Sequence, residues 1–179
     1  MVDLSKKSDL FTRLYLVLEV TGFLLHMIGF CTPYWRSIHF KYTEDVIKDI
    51  DIVIQGFDEG IWRRCVNGIC SDINVVGRDW LQVVRVFEII ALGSSLFATF
   101  LIILNISVER FSDSRRIYFL ALLSCFVTAC SILLSAIVYG VSVREGITWS
   151  YGCIVIGGIL FMASGVLMLT NYYTMRSKK

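Results

Sequence analysis

The chain has 179 residues, 56% of them hydrophobic, with a mean hydropathy of +0.68, a single proline and a net charge of +2. Soluble domains run nearer ~45–50% apolar, so the excess requires membrane-spanning segments and makes the lipid bilayer the first partner. The near balance of 17 basic and 15 acidic residues, with no long basic run, excludes a nucleic-acid surface.

Four apolar runs cover residues 11–32, 81–106, 118–139 and 151–173. Each reaches the roughly 20 residues that cross about 30 Å of hydrocarbon as a helix. Helices satisfy their own backbone groups, as the lipid core requires. The first run contains Glu19 and ends without a small-x-small cleavage site, so it reads as a retained helix and not as a signal peptide. Glu19 and His26 lie seven residues apart, on one helix face with Gly22 and Gly29, and both are expected to point into the bundle.

The long polar loop, 34–80, switches to period two. Residues 35–40, the β-branched stretch 51–55 and residues 60–66 are predicted strands, and Asn67-Gly68 is a type I′ hairpin signal. The Cys65-x4-Cys70 spacing across that turn sets the two sulfurs opposite each other, and they are expected to form a disulfide, with the other four cysteines free. Closing so short a loop contributes about 2 kcal/mol in the chain-entropy model. Two thiols without nearby His or Cys at ligand spacing do not make a zinc site. The loop carries eight acidic and six basic residues, a net of −2, which reads as ordinary solvation.

The second run begins with Arg85 and Glu88, three apart on one face. An unpaired carboxylate at that depth is costly, so Glu88 is expected to pair with Arg85 and, as a second partner at a similar depth, with His26. Asn105-Ile106-Ser107 has the form of a glycosylation sequon at the cytoplasmic end, where it is expected to stay unmodified. In the third run Ala121, Ser124, Thr128, Ser131 and Ser135 recur at three and four residues as a helix-contact stripe, with Cys125 and Cys130 as small packing residues. Gly157, Gly158 and Gly165 serve the same purpose in the fourth. Nine basic residues fall in the three short segments on one side of the spans, and eight are spread over longer segments on the other. That density places both termini in the cytoplasm. A cysteine pair on the opposite, oxidising side agrees.

Trp35, the Gly60-Ile61-Trp62 turn, Cys65 and Cys70 occur in one loop in that order. This pattern resembles the first extracellular loop of the claudin, peripheral myelin protein and epithelial membrane protein superfamily. Ile61 stands where the family usually has Leu, and the cysteines are closer than is common. The resemblance implies a left-handed, antiparallel four-helix membrane bundle over residues 1–179, with a small extracellular antiparallel sheet resting on the helix ends. It implies a plasma-membrane protein of cell–cell contacts, forming a junctional barrier or adhesive strand by self-association in cis and in trans. The alternative is a membrane organiser or an accessory subunit of another membrane protein. The large loop lies between helices one and two, unlike the tetraspanin order. No hydrolase elbow, metal-ligand cluster or phosphate-binding glycine loop is present, so neither catalysis nor a cofactor is expected.

Overall fold

The computed structural model describes residues 4–38, 56–107 and 114–176. Its elements are α1 (Leu4–Cys31), β1 (Arg36–Ile38), β2 (Phe57–Glu59), β3 (Arg63–Val66), β4 (Ile69–Asp72), α2 (Asp79–Ser107), α3 (Arg115–Ser142) and α4 (Trp149–Arg176). All four helices are long and apolar enough to cross a membrane, which makes this a multi-pass membrane protein. Each extends past its expected bounds, because backbone hydrogen bonding continues through polar residues such as Asp79, Arg115 and Ser142 beyond the apolar run. α1 stops at Thr32-Pro33, where the hydroxyl and N–H of Thr32 both bond the Ile28 carbonyl and proline bars a further turn.

The helices are apolar all round, so their faces are sorted by size and polarity. Val17, Leu24, Ile28, Phe97, Phe100 and Ile137 point outward toward lipid. Ser95, Thr128, Ser131, Ser135, Ser164 and the glycines Gly22, Gly29, Gly157, Gly158 and Gly165 face inward, and small residues let helices approach closely where lipid offers no hydrophobic drive. Contacts give the directions. Along α1, Tyr15, Glu19, Gly22 and Gly29 meet Ser164, Ser164, Gly157 and Ser150 of α4 in descending order, so those helices run antiparallel. Glu19 meets Cys125 and His26 meets Glu88, which itself meets Ser135, so α3 runs with α1 and α2 against it.

The described strands form one antiparallel sheet in the order β1-β2-β3-β4. Asn67 and Gly68 turn β3 into β4 with φ of 50° and 80°, the positive pair that a type I′ turn demands. Cys65 and Cys70 face each other in register and are disulfide-bonded, while Cys31, Cys125, Cys130 and Cys153 are free. The expected strand at 51–55 lies outside the described residues. β2 was not expected, because Asp58-Glu59 reads as solvated charge. β3 begins at Arg63, later than expected, since Gly60-Ile61-Trp62 forms the turn that enters it.

The connection between α3 and α4 joins the sheet. Arg36 and Ile147 form an isolated bridge, Ser37 N–H bonds Gly146 O at 2.7 Å and Thr148 N–H bonds Trp35 O at 3.0 Å. One core cluster lies beneath the sheet around Trp35, Ile61, Tyr139 and Phe161. A second, around Tyr15, Ile102, Cys125 and Met168, fills the opposite end.

Close packing along α1 and α4 is testable. A Cβ on Gly22 would sit 3.2 Å from the Gly157 carbonyl, whereas a Cβ on Gly93 meets nothing. Gly22→Val is expected to destabilise by about 1–3 kcal/mol, and Gly93→Val by less than about 0.5 kcal/mol. Unfolding titration in mixed micelles measures both, and equal midpoints would contradict the interlock. In a second test, alkylation without reduction followed by mass spectrometry is expected to leave Cys65 and Cys70 unlabelled. Labelled Cys65 would contradict the bond.

Candidate functional site

Trp35, Gly60, Ile61 and Trp62 converge on the junction between sheet and bundle, while Cys65 and Cys70 lie out on the β3–β4 hairpin. Trp35 follows the end of α1 and is fully buried. Its indole Nε1–H donates to Gly29 O at 2.7 Å, and its ring meets Tyr139 edge-on with centroids 4.8 Å apart. Tyr151 and Trp80 extend this aromatic cluster. Gly60 has no room for a side chain, because a Cβ would come within 2.6 Å of Thr32 O and 2.8 Å of Pro33 Cα. The β2–β3 turn therefore lies directly on the end of α1, and the next residue, Ile61, is driven into the core. Burying a side chain of that size is worth about 1.5–3 kcal/mol. Trp62 lies across Phe30 with centroids 5.3 Å apart.

Arg85 closes the junction from below. Its Nε–H donates to Ile61 O at 2.7 Å, Nη2 approaches Ile73 O at 3.5 Å, and the guanidinium lies 5.1 Å from the Trp62 ring centroid. The expected Arg85–Glu88 pair therefore does not form. Arg85 is about 4.5 Å higher along the helix than Glu88. At that level the carbonyls of the β2–β3 turn and of Ile73 are within its reach, and a donor-only guanidinium satisfies them.

Glu88 pairs with His26, the second of its expected partners. His26 Nε2 and Glu88 Oε2 share a 2.8 Å hydrogen bond with both side chains fully buried, and the Ser135 hydroxyl bonds Glu88 Oε1. Glu19, also fully buried, sits in a separate network: Oε2 accepts from Cys125 Sγ at 3.1 Å and from Ser164 Oγ at 3.2 Å. Glu19 and His26 thus both face the bundle, as expected, but they do not join. Cys125, expected as a small apolar filler, is a hydrogen-bond donor. Each network ties α1 to α3, and each adds one further helix, α2 through Glu88 or α4 through Ser164.

Three further residues carry the junction without having stood out in the sequence. Glu59 is buried at the base of β2 and accepts from Arg78 Nη1 at 3.1 and 3.0 Å, with Arg64 Nε 3.9 Å away. Arg64 also lies over the Phe57 ring. The position of Glu59 directly before Gly60 was the available signal, since a residue preceding so tight an approach shares its burial. Among the described residues no three His, Cys, Asp or Glu side chains converge as metal ligands. Asn105 lies in the last turns of α2, at the end away from the sheet. Comparison with protein-family models gives no match, and comparison with curated proteins gives none.

What the arrangement does is mechanical: it holds a small sheet in one orientation on a membrane bundle and exposes the outer hairpin. A double-mutant cycle tests the pairing beneath it. His26→Leu and Glu88→Leu are expected to couple by roughly 0.5–3 kcal/mol in unfolding free energy. Arg85→Met and Glu88→Leu are expected to be additive within about 0.5 kcal/mol. Strong coupling in the second cycle and none in the first would reverse the assignment.

Proposed function

We propose that this is a claudin-like integral membrane protein of cell–cell contacts, acting through self-association of its sheet. In this reading it lies in the plasma membrane with the sheet outside, both termini are cytoplasmic, and the protein collects at cell junctions as a barrier or adhesive strand. The observation that carries the reading is the outer hairpin. Ile69 is 78% exposed at its tip beside Val66, and Val76, shortly after β4, is 85% exposed. Val66 and Ile69 pair in register, so the tip offers a small apolar surface that a protein partner would cover. Among the described strands all four residues of β4 are exposed at the end of the strand order, a backbone edge suited to pairing. The disulfide and the rigid seat reduce the ordering cost of such a contact.

A different pair of observations favours the accessory-subunit reading. The connection between α3 and α4 is bound to β1 and does not project toward a second cell. In addition, α3 and α4 border an apolar furrow of about 490 Å³, lined by Leu133, Ile159, Met162, Ala163, Val166 and Leu167, where a helix of another membrane protein would fit.

Cells without junctional strands, expressing the tagged protein and mixed with non-expressing cells, separate the two. The contact reading expects enrichment where two expressing cells touch. It expects Ile69→Asp to spread evenly while reaching the surface in equal amount. Uniform wild-type distribution, with a stoichiometric membrane partner in mild detergent, would overturn it in favour of the accessory reading.

A further inference from the structure

Where α1 meets the sheet there is a cleft of about 240 Å³, lined by Phe30, Cys31, Thr32, Pro33, Trp62 and Arg63. One wall is the last turn of an apolar span that ends at Cys31, and the other is the turn into β3. The cleft thus straddles the boundary between hydrocarbon and polar layers. Its volume is roughly eight times the ~30 Å³ share of a liquid water molecule, enough for a compact headgroup.

One polar group of the walls is weakly matched, and a second lies buried behind them. The Trp62 Nε1 atom is buried and has no hydrogen-bond partner. Arg63, 70% exposed, makes one ion contact, a 3.8 Å approach to Asp72, which is itself 92% exposed. A pair so open to water contributes about 0–1 kcal/mol and competes poorly with a stronger anion. A ligand suited to these walls supplies acceptors and negative charge at the polar end, and apolar chains at the other.

We propose that this cleft binds a membrane phospholipid by its phosphodiester headgroup. The Arg63 guanidinium takes the phosphate oxygens, the chemistry for which its planar fork is suited. A turn of the Trp62 ring brings its buried N–H to a phosphate or glycerol-ester oxygen. The acyl chains pass Phe30 and follow the outward face of α1, where Ile28 and Leu24 are exposed. A sterol or a diacylglycerol would leave the guanidinium without a counter-charge, and free phosphate would leave the apolar wall uncovered. The bound lipid would lie between the bundle and the sheet, against the ring that seats β3.

The test uses the full-length protein in nonionic detergent, titrated with dioleoylphosphatidylcholine, dioleoylglycerol, cholesterol or inorganic phosphate, with bound molecules counted by native mass spectrometry. Phosphatidylcholine is expected to be retained about tenfold or more over dioleoylglycerol and cholesterol, with no retention of inorganic phosphate. Arg63→Gln is expected to weaken phosphatidylcholine retention about tenfold. Trp62→Phe keeps the ring on Phe30, removes only the donor, and is expected to weaken retention by several-fold. Arg144→Gln, at an exposed arginine after α3, is expected to leave retention unchanged. Equal retention of dioleoylglycerol and phosphatidylcholine would overturn the proposal, as would binding of phosphate alone or an Arg63→Gln protein that retains lipid like wild type. The wild-type comparison of the two lipids needs no variant, so it decides the matter even if Arg63→Gln does not fold.

Discussion

One guanidinium fixes the relation between the two parts of this protein. Arg85 rises from the first turns of α2 and donates to the carbonyl of Ile61, the residue that the sheet inserts into the bundle. A buried turn carbonyl without a donor costs about 1–3 kcal/mol, and a cation near the edge of a span needs polar company. The two requirements are met by the same 2.7 Å bond. Around it the remaining seat follows. Gly60 must be bare for the turn to come so close, Trp62 covers the guanidinium, and Trp35 fastens the start of the sheet to α1.

Below the seat, the bundle is held by polar groups that would be unaffordable in lipid alone. His26, Glu88 and Ser135 bind three helices near the sheet, and Glu19, Cys125 and Ser164 bind three toward the other end. Lipid chains are as apolar as leucine, so shape and hydrogen bonds, not exclusion from water, must choose helix partners. The two networks share α1 and α3 and differ in the third helix. Together with the close approach of Gly22 and Gly157 they fix which faces of the four helices meet. The sheet then rests on a platform that resists rotation of any one helix.

Much of this was legible in the chain. Four long apolar runs define the spans, because nothing else in a sequence of this size explains them. Asn67-Gly68 between Cys65 and Cys70 defines the hairpin, because few other residues accept two positive φ angles. Inward placement of Glu19 and His26 follows from the cost of exposing them to lipid. Partner choice was only half legible, since His26 and Arg85 both stood as expected partners of Glu88. Glu88 takes His26 across 62 positions instead of Arg85 three away, because depth along the helix and the open Ile61 carbonyl decide it. β2 stayed hidden for a related reason, since Glu59 is charged but buried against Arg78, a pairing visible only in three dimensions. The bridge from Arg36 to Ile147 joins the two loops through backbone groups, which leave no trace in side-chain pattern.

The central claim is that Arg85 couples the sheet to the bundle, and amide hydrogen exchange of the full chain in lipid nanodiscs tests it most directly. Arg85→Met keeps an unbranched apolar stem, shorter by the guanidinium, and removes the donors. The account expects the amides of Ser37, Gly60 and Ile73, which hold the sheet and its borders, to exchange about tenfold faster in that variant. Amides in the middle of α3 and α4 should keep their protection. If the sheet amides in Arg85→Met are as protected as in the wild type, the sheet is held by its own hydrogen bonds and disulfide, and the account is wrong.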